Sequence, residues 1–205
     1  MARLDSDVRS RMSTTEDSQL ALLFETADAW AAWLAECHST SPGVWLRLAK
    51  KSSGASSVTY ADAIDVALCY GWIDAKKKKE SETYWLQRFV PRKGASIWSK
   101  INREKALRLI ANGDMKPAGL KEVERAKSDG RWRDAYDSAR NATVPSDLQV
   151  ALDANPKAKA FFATLSGQNR YAVLFRIHTA KKTETRVQRI QAFVEMLEKH
   201  ETLHP

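Results

Sequence analysis

Two cysteines, eight glycines and six prolines in 205 residues exclude a disulfide-stapled scaffold, a collagen-like repeat and a low-complexity chain. Cys37 and Cys69 stand far apart, each on the apolar side of a helical pattern and outside any C-x-x-C or Cys/His cluster. They read as two reduced, buried thiols, which fits the cytoplasm. Long hydrophobic runs are also missing. The most apolar stretch, Tyr171 to Ile177, is broken by Arg176, whereas a bilayer-spanning helix needs ~20 apolar residues. No membrane span is expected. The first ten residues hold no apolar run of signal-peptide length, so a cytoplasmic location is expected.

Catalytic signatures are just as scarce. The four histidines, His38, His178, His200 and His204, show no H-E-x-x-H or other ligand spacing, so no metal site is expected. There is no G-x-S-x-G elbow, no G-x-x-x-x-G-K-[ST] loop and no G-x-G-x-x-G turn, and no cofactor is implied. His178, inside an apolar helical pattern, reads as a core or interface histidine. Ser96 and Ser99 read as turn and cap residues, because no base is assigned to either. The missing catalytic constellation ranks an enzyme below a binding protein.

What is present is an ordinary globular mixture, 43% hydrophobic and 28% charged, of a length that suits one domain or two small ones. The net charge of +8 is unevenly spread. Through Glu36 there are seven acids and three bases, a net −4, so the remainder carries +12. From Lys76 to Arg108 eleven bases face three acids, and from Arg170 to Arg189 six bases face one acid.

Polar residues dominate the first 23 positions, which read as a flexible tail. Thr26 caps a helix with Trp30, Trp33, Leu34 and Cys37 on one stripe. Val44 to Lys50 alternates as a strand, and Thr59, with Asp62 three residues on, opens a helix that Gly71 ends. Trp72 to Ala75 then reads as a short strand, Lys76 to Glu82 as a polar turn, and Tyr84 to Val90 as the returning strand of a hairpin closed by Pro91. From Ser99 onward the pattern is helical. Asn112-Gly113 and Asp129-Gly130 mark helix ends, Leu120, Val123 and Ala126 point inward after Pro117, and Ser146-x-x-Gln149 reads as a capping box. Asn155-Pro156 and Ser166-Gly167 mark further helix starts, and the last helix turns Val187, Ile190, Phe193, Val194 and Leu197 inward. The expected fold is α+β: a small, mainly antiparallel sheet with helices in residues 24–98, packed on a helical half in residues 99–205, together one continuous domain.

Several stretches resemble one family. They are Gly43-Val44-Trp45-Leu46, Thr59 to Ala63, Ala67 to Asp74, Arg88 to Arg92, Ser96 to Lys105 and Met115 to Gly119. Further on come Asp129-Gly130-Arg131-Trp132, Ala135-Tyr136, Val144-Pro145 with Asp147-Leu148, and Ala180 to Arg186. Together they look like the YdeI/OmdA family, the bacteriocin-protection or OmpD-associated proteins, from about Trp30 to the C-terminus. The resemblance implies no established reaction. It implies tolerance of cationic antimicrobial peptides and association with an outer-membrane porin.

In the basic window Trp72, Asp74, Arg88, Phe89, Arg92, Trp98 and Asn102 are candidate ligand-binding residues. Apolar walls with a few polar groups suit a small-ligand cleft, and two arginines can fork onto a carboxylate or phosphate. The competing reading pairs Asp74 with Arg88 or Arg92 to lock the hairpin and leaves the tryptophans in the core. Lys181, Lys182, Thr183 and Arg186 dress a helix N-terminus with cations and form a second candidate anion site, against a plain N-cap and a solvated edge. The leading expectation is a non-enzymatic stress-tolerance protein that binds an anionic small molecule or partner through the tryptophan-rich window. An enzyme with Asp74 as acid or base and Arg88 as anchor comes second. Nonspecific nucleic-acid binding through Lys76 to Lys79, with Tyr84, Trp85 and Trp98 for stacking, comes third.

Overall fold

The structure, a computed structural model, describes residues 21–205. The expected tail therefore lies outside the described residues, except that Ala21–Leu23 form a strand, β1. The fold is α+β, in two compact units. One holds residues 21–94 with Leu109–Val123, and the other holds Ala95–Arg108 with Glu124–Pro205.

The first unit carries a four-stranded sheet in the order β1-β2-β4-β3, built from β1, β2 (Val44–Ala49), β3 (Trp72–Lys79) and β4 (Tyr84–Pro91). β1 runs parallel to β2, a pairing the local pattern around Ala21 does not announce, and the other pairs are antiparallel. Helices α1 (Ala27–Cys37) and α2 (Tyr60–Cys69) begin where expected. Thr26 Oγ1 accepts from the Ala29 amide at 3.1 Å. Thr59 Oγ1 accepts from the Asp62 amide at 3.2 Å and donates to the Asp62 carboxylate at 2.7 Å, so the polar group at the helix start is doubly satisfied. Gly71, at φ +74°, ends α2 in the left-handed region and turns the chain straight into β3.

The helices cover one sheet face with an aromatic layer. Trp30 is fully buried among Phe24, Trp33, Trp72 and Phe89, and donates its indole N–H to the Ala63 carbonyl at 3.1 Å. Burial of such a ring with its polar atom satisfied contributes roughly 3 kcal/mol.

The expected turn from Lys76 to Glu82 is corrected here: β3 continues through Lys79, and only residues 80–83 connect it to β4. β3 is an edge strand, and four lysines along an edge discourage a further strand from pairing there. The run is held extended by its antiparallel pairing with β4, Lys77 to Lys79 standing opposite Gln87, Leu86 and Trp85.

Helices α3 (Lys100–Ala111) and α4 (Pro117–Ser128) carry the chain from one unit to the other, and α5 (Ser146–Asp153), α6 (Pro156–Thr164), α7 (Gly167–His178) and α8 (Thr183–Glu198) complete the second unit. Its core gathers Leu148, Leu152, Phe162, Val173, Ile177 and Leu197. Asn155 and Ser166 cap α6 and α7 as expected.

Several local expectations are overturned. The Ser146-x-x-Gln149 box does not form, because Ser146 is already helical behind an extended Pro145 and Gln149 turns to Asp153 at 2.9 Å. Thr183 is the first helical residue of α8 rather than its cap, which is Lys182 without a side-chain bond. Leu120 and Val187, assigned inward by periodicity, are exposed. His178 ends α7 at an exposed position, which excludes the core alternative of the core-or-interface reading.

Candidate functional site

Strand register decides what becomes of the tryptophan-rich window. Asp74 stands opposite Phe89, and Arg88 opposite Trp45. Side chains alternate along a strand, so Arg88 projects from the face opposite to that of Phe89 and Asp74. The hairpin therefore separates the two groups meant to act together. On the helix-covered face Trp72 and Phe89 are core, and the Trp72 indole donates to the His38 carbonyl at 3.1 Å. Asp74 accepts from the Tyr60 hydroxyl at 2.8 Å. On the other face Arg88 and Lys78 lie against the Trp45 ring, at 5.7 and 4.6 Å from its centroid. Lys77 and Lys79 pair with Gln87 and Trp85, on the face away from Lys78, so the lysine run is divided between two faces. Arg92, buried, leaves β4 with its amide donated to the Gly71 carbonyl.

Trp98 and Asn102 belong to the second unit. Trp98 is buried edge-on against Trp132, centroids 4.9 Å apart, and the Asn102 amide is capped by Ser99 Oγ at 3.1 Å. The competing reading, in which the tryptophans are core, describes Trp72 and Trp98, although the partner of Asp74 is Tyr60 rather than an arginine.

The second unit has a more open arrangement. Beyond the end of α4 the chain runs Asp129-Gly130-Arg131, and the arginine folds back on the acid. Its Nε donates to both carboxylate oxygens of Asp129, at 2.9 and 2.8 Å, and Nη1 donates to the Ser96 carbonyl at 2.6 Å. Nη2 lies 2.7 Å from the same carboxylate as a charge contact without hydrogen-bond alignment. The Arg131 guanidinium holds the Asp129 carboxyl below the usual range, and Lys181 adds to the effect. Arg131 is buried, and it forms one wall of a cleft of about 360 Å³.

The opposite wall comes from the end of α7. His178 Nε2 lies 3.0 Å from the Asp134 carbonyl, and Thr179 and Lys181 follow it along the cleft. Tyr136 and His178 also border a neighbouring cavity of about 160 Å³, floored by Tyr171 and Phe175. Tyr136 meets Phe175 edge-on at 5.0 Å, and the Tyr171 hydroxyl donates to the Asp137 carbonyl at 2.9 Å. Burial, then Tyr136 and Asp137, raise the Tyr171 phenol above its usual range.

The second candidate group, Lys181, Lys182, Thr183 and Arg186, is divided by this geometry. Arg186 grips both carboxylate oxygens of Asp147 and donates to the Ile177 carbonyl, so it ties α8 to α5 and to the end of α7. Lys182 and Thr183 are exposed at the α8 start, and Lys181 alone of the four lines the cleft. Arg131, Asp129, Tyr136 and His178 were not among the sequence candidates. An acid, a glycine and an arginine just past a helix end signal a turn in which the arginine folds back. Arg186 in turn holds the Asp147 carboxyl below its usual range. An acid depressed in the folded state stabilises fully above its unfolded pKa, and that contribution disappears as pH falls below about 4 through the folded value. Asp147→Asn is therefore expected to lower the melting temperature at neutral pH, with the gap to the parent closing below about pH 4. A gap independent of pH would show that the pair does not contribute.

The molecule is thus an α+β protein whose helical unit presents a polar cleft beside an aromatic-floored cavity. Residues 141–200 match the family described as Bacteriocin-protection, YdeI or OmpD-Associated. Residues 22–122 match a Domain of unknown function (DUF8412). The family match is narrower than the resemblance, which reached back to about Trp30. No curated protein and no solved structure matches the chain.

Proposed function

We propose that the protein serves in protection against bacteriocins, as the description of its C-terminal family says, by binding a small anionic ligand in the helical-unit cleft rather than by catalysis. One observation carries this reading. Asp129 is paired with Arg131 and Asp134 with Arg133, whereas Lys181 has no ion-pair partner among the described residues. The lysine is thus a lining cation held in no close ion pair, within electrostatic reach of Asp129 and with His178 also on the cleft wall. The aromatic cavity next door suits an apolar ring on a ligand whose carboxylate or phosphate meets Lys181. The proposed location is the cytoplasm, a compartment in which the free thiols Cys37 and Cys69 would stay reduced. The family description also names OmpD; no helix of the described residues is long and apolar enough to cross a membrane.

Benzoate and inorganic phosphate are suitable probes in a thermal-shift series. Benzoate is expected to raise the melting temperature more than acetate does, as mass action on a native-state site requires. Lys181→Ala is expected to remove the shift, and Lys182→Ala, outside the cleft, to leave it intact. No stabilisation by either probe, or an equal shift in Lys181→Ala, would overturn the reading.

A further inference from the structure

A second concavity, of about 460 Å³, lies between α5 and α8. Its floor is Ala151, Val187, Ile190 and Val194, with Val187 58% exposed, a large apolar side chain facing water. The charged groups lining it are both acids. Asp147 is neutralised by Arg186, but Glu195 accepts only the Gln191 amide, at 3.2 Å. Helical spacing puts Glu184, Val187, Gln191, Glu195 and Glu198 on one stripe of α8, with Glu198 bonded to the Asn155 amide at 3.0 Å. Among the described residues none of these three glutamates forms an ion pair. A chain with a net charge of +8 therefore presents a local acidic stripe along an apolar groove.

From this geometry we infer that the α5–α8 groove docks an amphipathic helical segment with a cationic polar face. Apolar anchors at i, i+3/i+4 and i+7 fill the groove in the helix-in-groove mode, and lysines or arginines reach the glutamates. Those glutamates span four turns of α8, about 21 Å. That spread matches the charges along a helix and exceeds what one small cation engages. Anionic lipid and nucleic acid are repelled from the same stripe. The groove is separate from the anion cleft, and the inference does not rest on that reading.

The test uses the full chain and a labelled amphipathic peptide of leucine and lysine, followed by fluorescence anisotropy. Saturable binding is expected, weakened at high salt. A scrambled peptide of the same composition and a leucine/glutamate analogue are expected not to bind. Val187→Lys and Glu195→Lys, both at exposed positions, are each expected to weaken binding at least about tenfold with an unchanged circular-dichroism spectrum, and Lys181→Ala to leave it unaltered. Equal binding of the scrambled or glutamate peptide would overturn the inference, as would unchanged binding by Val187→Lys. A dimer in light scattering that Val187→Lys dissolves would also overturn it, by assigning the groove to a second copy of the chain.

Discussion

Gly119→Ala is expected to destabilise the protein by about 3 kcal/mol, lowering the melting temperature by roughly 6–12 °C for a chain of this size. In an ordinary helix the same change is worth up to about 1 kcal/mol in the opposite direction, because alanine is the better helix former. Packing reverses the sign. A Cβ at Gly119 would stand 2.4 Å from the Cys69 carbonyl oxygen, 2.7 Å from that of Leu68 and 2.4 Å from Met115 Sδ. The sulfur sits on a flexible side chain and can move; the two carbonyls belong to the last turn of α2. The Lys116 amide donates to the Cys69 carbonyl at 3.1 Å, so the start of α4 is held against the end of α2 at this point. Gly71 meets α4 the same way, its missing Cβ lying 2.9 Å from the Ala118 carbonyl oxygen. Gly113→Ala is the control. Its φ of +78° strains an alanine, but nothing lies within 4 Å of the added carbon, so only the backbone cost of about 1–2 kcal/mol is expected. Equal losses in the two variants would show that α2 and α4 do not meet this closely. The contact also surrounds Cys69, whose thiol is pushed up to about 11 by burial, with Asp114 reinforcing the shift. Gly119→Ala should accordingly make Cys69 react faster with alkylating reagents.

The second large effect is expected at Arg131. Arg131→Ala should cost about 2–3 kcal/mol, read as a lower urea midpoint, from the lost charge-assisted bond to the Ser96 carbonyl and the packing of the buried stem. Asp129 faces water sufficiently to rehydrate and adds little. Arg131→Lys keeps the charge but not the planar fork that reaches Asp129 and Ser96 at once, so it should recover only part of the loss. The same wall bounds the anion cleft, and benzoate stabilisation should fall in both variants, further in alanine. Parental stability in Arg131→Ala would remove the arginine as the organiser of the cleft.

Much of the fold was legible because the signals were short-ranged. Thr26, Thr59, Asn155 and Ser166 each satisfy an amide three residues on, a chemistry that needs no distant partner. Gly71, Gly113 and Gly130 stand at helix ends in the left-handed region, as their positions predict. The candidate site was less legible. Lys181 is evident from its cationic helix start, and His178 lies only three residues before it, but Arg131 and Tyr136 come from a segment that meets them only in the folded unit. Arg186 looked like a ligand anchor, yet it is consumed by Asp147, 39 residues away.

Composition, capping and strand alternation were determined by the sequence itself: the α+β class, the starts and ends of most helices, and the uneven charge. Only the tertiary structure decided which face each residue serves. Local hydrogen bonds select a helix or strand within a few residues, whereas strand register assigns Asp74 and Arg88 to opposite faces and continues the lysine run into an edge strand. Cations with the same sequence character part in the same way: Arg186 closes on a carboxylate brought to it by folding, and Lys181 is left facing the cleft.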